Sequence, residues 1–141
     1  MIQKEQNLVQ LCYGIPYRRQ RGSVEFCLFL FPNHRDWDFP QASDAGDDGA
    51  NAQELLVPCA QAGFAGRVDA EPLGQFEASR GDTVESVTAF LVEAEHADAD
   101  GNGSRLPRHR WCLVEEAKLR IRRKPLRHLL DVAQRRLTQR G

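Results

Sequence analysis

The sequence lacks any long hydrophobic run. Its longest apolar stretch, residues 26–31, has six residues, whereas a membrane-spanning helix needs about 20. We therefore expect no transmembrane segment and no attachment to a membrane. The first seven residues contain no apolar core of the kind that secretory signals carry, so we also expect no signal peptide and a cytoplasmic location.

Metal-binding and disulfide patterns are missing as well. The four cysteines stand far apart and form no C-x-x-C pair: Cys12, Cys27, Cys59 and Cys112. The four histidines are scattered, without an i, i+4 pair. In a protein without a secretory signal, this pattern predicts buried, reduced thiols. It gives no support to a zinc site or a catalytic triad.

The chain is of ordinary size and composition for one globular domain. It has 141 residues, of which 41% are hydrophobic and 28% charged, and its net charge is −1. Domains commonly contain 100–200 residues, and disordered chains combine low hydrophobicity with high net charge. We therefore predict a single folded domain over residues 1–141.

Charge is strongly segregated along this nearly neutral chain. Residues 1–35 carry a net charge of +3, residues 36–104 carry −13, and residues 105–141 carry +9. The basic C-terminal segment could bind an anionic partner. Alternatively, the acidic and basic segments lie close together in the fold and neutralise each other. We favour this second interpretation, because a single domain brings its segments together.

Hydrophobic periodicity and turn residues predict alternating strands and helices. Strands are expected at 24–31, 68–75 and 83–93, and polar loops at 43–49 and 97–107. A helix from Asn51 to Gly63 contains Pro58, which predicts a kink or a helix in two pieces. A helical turn is expected at 114–119. An amphipathic helix begins at Pro125 and places apolar residues on one face: Leu126, Leu129, Leu130, Ala133 and Leu137.

Residues 37–42 read W-D-F-P-Q-A. They resemble the W-x-x-P-K-G segment that leads into the box of the Nudix hydrolase family, G-x5-E-x7-R-E-U-x-E-E-x-G-U, where U is bulky and aliphatic. With Ala42 on the first glycine, Asp48 falls on the first glutamate. Gly63 then falls on the final glycine and Phe64 on the last U, and no gap is needed.

The flanking segments resemble one branch of that family, the diadenosine tetraphosphate hydrolases. Residues 14–19, G-I-P-Y-R-R, look like its first strand, and residues 110–117 look like the segment before its last helix. The resemblance implies an α/β fold, an α/β/α sandwich with a mixed central β-sheet. It also implies hydrolysis of nucleoside diphosphate derivatives and dinucleoside polyphosphates with a divalent metal.

The catalytic part of the box does not follow the family. Where the family has R-E-U-x-E-E, residues 56–61 read L-V-P-C-A-Q. The family's glutamates bind Mg²⁺, but Val57 and Ala60 have no oxygen ligand and Gln61 offers only a neutral carbonyl. We therefore predict a catalytically impaired pseudoenzyme without a cofactor, which binds a nucleotide, a polyphosphate or a protein. Leu56 and Val57 replace the family's arginine and its glutamate together, which predicts apolar packing instead of a charge pair.

An active hydrolase remains the alternative. Asp47, Asp48 and Glu54 could supply displaced carboxylates for Mg²⁺ or Mn²⁺, because Glu54 lies one helical turn before Val57 on the same face. The other explanation is that acidic residues stabilise the N-terminal turn of the helix through its dipole. We favour this second explanation.

Phosphate-binding residues are predicted from the family's substrate entrance and its lysine position: Arg18, Arg19, Arg21 and Gln41. The arginines could equally be an exposed strand end. Tyr17, Trp37 and Phe39 could stack on a base, although core packing is favoured for the last two. The basic helix after Pro125 is the candidate surface for a protein partner. Its arginines are not interleaved with aromatic residues, so nucleic acid is not an expected partner.

Overall fold

The computed structural model describes residues 7–43, 50–95 and 108–140. The expected polar loop at 43–49 and the expected loop at 97–107 therefore lie almost entirely outside the described residues, and so do Asp47 and Asp48. The described elements follow in chain order: β1 Asn7–Gln20, β2 Ser23–Leu30, β3 Gln41–Ser43, α1 Ala50–Gln61, β4 Ala65–Val68, β5 Gly74–Arg80, β6 Thr83–Glu95, β7 Arg108–Cys112, α2 Val114–Arg120 and α3 Lys124–Gln139.

A mixed sheet forms the centre of the molecule. Strands β1 and β6 pair in parallel over eleven residue pairs, from Asn7 opposite Thr83 to Tyr17 opposite Glu93. The sheet order is β4-β6-β1-β2-β7, with β3 beside β1 and β5 beside β6. All of these other pairings are antiparallel. The mixed central sheet predicted from the sequence is confirmed.

Helices cover both faces of this sheet. Because side chains alternate along a strand, Tyr13 and Ile15 of β1 face a core that includes Leu126 and Leu130 of α3. Their neighbour Cys12 faces the opposite side and packs with Leu55 of α1 and with Ala42. Cys27, Phe29 and Cys59 form a second cluster on the α1 side. The α/β/α sandwich is therefore confirmed.

The cysteine prediction is confirmed too, because all four cysteines are free and buried. Burial raises the pKa of the Cys59 thiol to about 12, so this side chain behaves as a small apolar group at neutral pH. No helix among the described elements combines the length and the apolar character that crossing a bilayer requires.

Helix α1 ends where its sequence predicts. Gly63 has a φ of +99°, a left-handed conformation that glycine adopts without steric cost. Its N–H donates to the Ala60 carbonyl at 3.0 Å, and the N–H of Phe64 donates to the Cys59 carbonyl at 3.1 Å. These two bonds form a Schellman cap. The helix is one element through Pro58, so the alternative of two helical pieces is wrong.

The strand expected at 68–75 is wrong. Strand β4 ends at Val68 and β5 begins only at Gly74. Between them, the Asp69 carboxylate accepts a hydrogen bond from the N–H of Glu71 at 3.2 Å, and Pro72 has no N–H to give to a neighbouring strand. Asp69 and Leu73 still donate their N–H groups to carbonyls of β6 at 2.8 and 2.7 Å. Residues 69–73 therefore interrupt the continuous strand pairing along β6.

The acidic middle and the basic C-terminal segment meet in the fold. Arg140 pairs with Asp69 at 2.9 Å and with Glu71 at 3.7 Å. Arg122 pairs with Asp36 at 3.5 Å. These contacts agree with the favoured interpretation that the two segments neutralise part of each other's charge.

We predict that Gly66→Ala destabilises the fold. A Cβ at Gly66 would lie 2.8 Å from the Leu56 Cδ2 and from the Val92 Cγ1, so these two packed side chains would have to shift. Overpacking of this kind costs about 1–3 kcal/mol. Urea denaturation measures the change, with Ala65→Ser as a control at the exposed neighbouring position, which should change stability by less than about 0.5 kcal/mol. Equal stability of Gly66→Ala and the wild type would contradict this packing.

Candidate functional site

The resemblance to the Nudix box assigns the positions of the family's carboxylates to the exposed face of α1. Leu55, Cys59 and Ala62 are buried against the sheet, so the opposite face of the helix is turned to solvent. Val57 on that face is 52% exposed, and Ala60 and Gln61 are also exposed. The face therefore has the family's position and exposure but not its ligands for a hard cation.

Leu56 occupies the position of the family's arginine. It is partly buried and packs against the apolar cluster of Cys59, Phe64 and Val92. Gly66 provides the space for it, since a Cβ there would lie 2.8 Å from Leu56. This supports the prediction that apolar packing replaces a charge pair at this point.

No group of three or more histidine, cysteine, aspartate or glutamate residues suited to a metal ion occurs within 7–43, 50–95 and 108–140. Glu54 is exposed on α1, one turn before Val57. Its two suggested co-ligands, Asp47 and Asp48, lie outside those ranges. A displaced metal site at these three residues therefore stays a prediction.

The Arg18 side chain is nearly buried and already contacts other side chains of the protein. Its side chain is 10% exposed, and its Nε donates to the Glu25 Oε1 at 2.8 Å. The guanidinium also lies over the Trp111 ring, 4.3 Å from the centroid, at a distance suited to a cation–π contact. A phosphate would have to compete with both partners.

Arg19 lies apart from Arg18 and Arg21, which both line one cavity of about 340 Å³. Adjacent residues on a strand point to opposite faces, and the Arg19 Nη2 donates to the Leu137 carbonyl of α3 at 3.0 Å. Arg21 is exposed at the hairpin tip with a φ of 54°. The structure does not bring the three arginines together around one ligand. The alternation of strand side chains could have indicated this from the sequence.

Gln41 lines a separate cavity of about 300 Å³ on the α3 side of the sheet, which we call the junction cavity. Its walls come from β1, the 33–38 turn, β3, β6 and the connection between α2 and α3: Tyr13, Trp37, Asp38, Gln41, Glu85, Ile121, Arg122, Arg123 and Leu126 are among the lining residues. Its volume is at the lower end of the range for small-molecule sites.

One wall of the junction cavity is a tyrosine held by an arginine. The Arg123 Nη1 donates to the Tyr13 hydroxyl at 2.8 Å, and its guanidinium lies 5.5 Å from the centre of the Phe76 ring. Tyr13 is 1% exposed. Burial and the nearby Asp38 carboxylate raise the pKa of Tyr13 to about 12. This contact ties the α2–α3 connection to β1.

The cavity has an acidic floor and a basic rim. Glu85 is only 7% exposed and is the one charged residue that is buried among those the structure describes. Asp38 is half-buried, and its Oδ1 accepts the N–H of Phe39 at 2.8 Å. At the rim, Arg35 is exposed and the Arg122 side chain is 80% exposed.

Sequence reasoning did not identify the cavity or its acidic floor. The available signal is the alternation along β6, where position 85 points to the same side as the buried Val87, Ala89 and Leu91. A glutamate at an inward strand position is rare unless it has a polar partner. The other walls of the cavity come from distant segments, so local pattern could not indicate the cavity.

The aromatic predictions have mixed outcomes. Phe39 is fully buried and Trp37 packs against the α3-side core, as favoured. Tyr17 is also buried, at 7% exposure, so its ring is not presented to a base. Trp37 borders the junction cavity, with Arg120 5.9 Å from the centre of its ring.

Solved structures with the same fold include proteins named as hydrolases. The Ap4A hydrolase of C. elegans superimposes with a TM-score of 0.71 at 20% identity, covering 92% of this chain and 98% of the other. A binary complex of that enzyme gives 0.70, again at 20% identity, with 93% and 98% covered. A protein described as a NUDIX hydrolase from Listeria monocytogenes gives 0.56 at 12% identity, with 92% and 94% covered.

The fold is thus a Nudix fold. Among Nudix proteins, it is similar to that of the Ap4A hydrolases over nearly the whole chain. The sequence itself matches no protein-family model and no curated protein.

We predict that glutamates introduced on the exposed face of α1 create a metal-binding site. In the triple variant Val57→Glu, Ala60→Glu, Gln61→Glu, all three new side chains stand at exposed positions, so the helix should still fold. The variant should bind Mn²⁺ at least tenfold more tightly than the wild type, because clustered carboxylates are ligands that hard cations prefer. Isothermal titration calorimetry measures this.

A matched control for the metal experiment places three glutamates at exposed positions that lie apart from one another and from α1, with Ser23→Glu, Ser79→Glu and Gln139→Glu. Equal Mn²⁺ affinity of the triple variant and this control would show that the α1 face cannot hold a metal. Tight Mn²⁺ binding by the wild type that is lost in Glu54→Gln would instead favour the displaced site.

Alkaline pH should destabilise the fold through its two buried tyrosines, in addition to buried thiols such as Cys59. Burial is the main cause that raises the pKa of both Tyr13, to about 12, and Tyr17, so each stays protonated in the folded state while the unfolded chain ionises near pH 10. The free energy of unfolding should therefore fall as pH rises from about 10 towards 12, with Tyr13 contributing about 2–3 kcal/mol.

Absorbance at 295 nm follows tyrosine ionisation in this experiment. The native protein should show little tyrosinate at pH 10, while in 8 M urea both tyrosines should be about half ionised. Tyr13→Phe should remove the Tyr13 share of the alkaline decline in stability, while the share that comes from the buried Cys59 and Cys112 thiols remains. Ordinary tyrosine titration in the native state would contradict the burial of these hydroxyls.

Proposed function

We propose that this chain is a Nudix-fold module that binds a nucleotide or polyphosphate without a metal ion, and that it does not hydrolyse it. The observation that carries the proposal is the face of α1. Three residues on this face are exposed: Val57, Ala60 and Gln61. In the Nudix family, which the sequence resembles, these positions carry the glutamates that bind Mg²⁺.

The loss of those carboxylates removes the basis of the family's reaction. A divalent metal lowers the pKa of a bound water and neutralises charge on the pyrophosphate. Mg²⁺ gives up its water shell reluctantly and needs carboxylate oxygens to hold it. An exposed valine and alanine cannot compensate for that loss of hydration. The metal-dependent step therefore lacks the side chains that would hold the metal.

Retention of ligand binding is supported by the junction cavity. Arg35 and Arg122 are exposed at its rim, and guanidinium groups bind phosphate through paired hydrogen bonds without a metal. Gln41, at the family's lysine position, lines the same cavity and adds a neutral donor. A structure of the C. elegans Ap4A hydrolase is a binary complex, so a protein of this fold forms a complex with a ligand.

Of the arginines predicted from the sequence, Arg21 keeps a role in this proposal as an exposed cation at the hairpin tip. Arg18 and Arg19 make better structural contacts than phosphate contacts, through Glu25 and the Leu137 carbonyl. We therefore place the principal anion contacts at Arg35, Arg122 and Gln41.

A hydrolase that uses displaced carboxylates is the second candidate. The specific observation in its favour is the exposed Glu54, which lies on the same face of α1 as Val57 and Gln61. In this alternative, neutralising Asp47, Asp48 and Glu54 together would abolish turnover, while loss of a cavity arginine would mainly weaken substrate binding.

Calorimetry with ADP, ATP, GTP and diadenosine tetraphosphate tests the proposed function, once with EDTA and once with Mg²⁺. We expect binding of at least one nucleotide with EDTA, no product by chromatography with Mg²⁺ or Mn²⁺, and weaker binding as salt rises, because exposed charges are screened. Arg35→Ala with Arg122→Ala should weaken binding at least tenfold.

The control for that experiment is Arg135→Ala, an exposed arginine near the other end of α3, which should leave affinity unchanged. Hydrolysis with Mg²⁺ that disappears in the Asp47→Asn, Asp48→Asn, Glu54→Gln variant would establish the second candidate instead. Absence of nucleotide binding at any salt concentration would leave a protein-binding role, with α3 as the surface to test first.

A further inference from the structure

A second cavity lies at the end of the sheet where β1 turns into β2, and we call it the hairpin cavity. Its volume is about 590 Å³, which is within the range of about 300–1,000 Å³ for small-molecule sites. Its walls come from the β1–β2 hairpin, the start of α2 and the last turns of α3. The lining residues that the structure describes for this cavity and for the junction cavity do not overlap, so the two are separate places on the molecule.

Arg19 supplies a cationic group to the wall of the hairpin cavity. Its Nη2 donates to the Leu137 carbonyl at 3.0 Å, which holds the guanidinium against the end of α3. This bond uses one of the five N–H groups of a guanidinium, and a carbonyl does not neutralise its charge. Within residues 7–43, 50–95 and 108–140, no carboxylate forms an ion pair with Arg19. The side chain therefore has both charge and donors left for an anion.

Aliphatic side chains form much of the remaining wall. Val24 is the cross-strand partner of Arg19, so the two side chains lie on the same face of the sheet. Val114 and Leu113 also line the cavity, and Leu113 is 53% exposed. Among the described residues that line the cavity, none is aromatic, so no ring is present on which a nucleobase could stack. Such walls fit a flexible hydrocarbon chain.

We propose that the hairpin cavity binds a medium-chain fatty acid. The carboxylate accepts hydrogen bonds from Arg19, because a guanidinium binds a carboxylate through paired N–H donors. The hydrocarbon chain contacts Val24, Val114 and Leu113 and gains affinity from each methylene group that leaves water. This inference does not rest on the proposed function, since it concerns a different ligand in a different cavity.

A free acid fits the walls better than the C-terminal end of an apolar peptide, which would offer the same carboxylate. A peptide brings amide groups that need hydrogen-bond partners when they are buried. One polar group of the wall is already used, because the Thr138 hydroxyl donates to the Gln134 carbonyl at 2.7 Å. A hydrocarbon chain has no such requirement.

Glu115 favours one orientation of the ligand. It lines the cavity at the start of α2, and its Oε1 lies 3.5 Å from the Lys118 Nζ. A ligand carboxylate beside Glu115 would be repelled, whereas beside Arg19 it would be attracted. The charged end of the fatty acid therefore lies at Arg19, and its hydrocarbon end covers part of the exposed Leu113.

Calorimetry with octanoate, butanoate and octylamine tests the hairpin cavity. Octanoate should bind at least tenfold more tightly than butanoate, because its chain is longer by four methylene groups. Octylamine has a chain of the same length but the opposite charge. It should bind at least tenfold more weakly than octanoate, since its ammonium group would meet Arg19. N-acetyl-leucyl-leucine represents a peptide end and should also bind more weakly than octanoate.

Arg19→Gln tests the carboxylate contact. The variant should bind octanoate at least tenfold more weakly, while its affinity for 1-octanol, which carries no charge, should change less than twofold. A purely structural role of Arg19 would weaken both ligands alike. Arg19→Lys keeps the charge and should recover part of the octanoate affinity. The control is Arg135→Gln, which removes an exposed arginine of α3 that does not line the cavity and should match the wild type.

Leu113→Ser tests the contact with the hydrocarbon chain. The ratio of octanoate to butanoate affinity should fall at least threefold, because the longer chain loses apolar contact and the carboxylate contact is unchanged. The matched control is Leu119→Ser. It removes a leucine that is 87% exposed and is not part of the cavity wall, so its ratio should equal that of the wild type.

Several results would overturn the fatty-acid site. Equal affinity for octanoate and octylamine would do so, and so would octanoate binding that neither Arg19→Gln nor Leu113→Ser changes. Tighter binding of N-acetyl-leucyl-leucine than of octanoate would show that a free acid is the wrong ligand. If the variants fail to fold, as circular dichroism would show, the order of the ligands with the wild type decides.

The same titrations keep this inference apart from the proposed function. Nucleotide affinity in saturating octanoate should equal the affinity without it, because the two cavities are separate. Octanoate binding with the expected order of ligands, in a protein that binds no nucleotide, would support the hairpin cavity and contradict only the proposed function. Nucleotide binding without octanoate binding would contradict only the hairpin cavity.

Discussion

The parallel pairing of β1 with β6 is the constraint on which the rest of the structure depends. Eleven residue pairs fix its register, and a shift of one residue would exchange the two faces of a strand. This register places Tyr13 and Glu85 on the α3 side and Gly14 opposite Phe90. A Cβ at Gly14 would lie 3.0 Å from Val92 and 3.4 Å from Leu55, so glycine lets α1 approach the sheet closely.

Patterns of neighbouring residues in the sequence predicted those parts of the fold that neighbouring residues determine. Gly63 ends α1 because only a residue tolerant of positive φ suits the cap, and the spacing from Ala42 to Gly63 carries the resemblance to the Nudix box. The interruption after Val68 was missed because hydrophobicity alone continues across it, whereas the Asp69 turn and Pro72 break the pairing. The junction cavity was missed because Glu85, Arg123 and Gln41 are far apart in the chain.

The two sides of the sheet differ in their electrostatics. On the α1 side, Leu56 packs beside Gly66 and Val57 is exposed, so the helix that the family uses for charge holds apolar groups. On the α3 side, Glu85 is buried beside the Arg123–Tyr13 contact. A buried charge is costly unless it is hydrogen-bonded or paired.

This difference between the two sides of the sheet shows how a Nudix fold without its carboxylates can keep a cavity for a ligand. The ligand binding that we propose depends on rigid positions, and β1, β6 and the α2–α3 connection provide them independently of α1. Loss of the glutamates from α1 therefore leaves the junction cavity intact. In the Nudix reaction that the resemblance implies, metal, water and phosphate would meet at the α1 face, which lies on the other side of the sheet from the junction cavity.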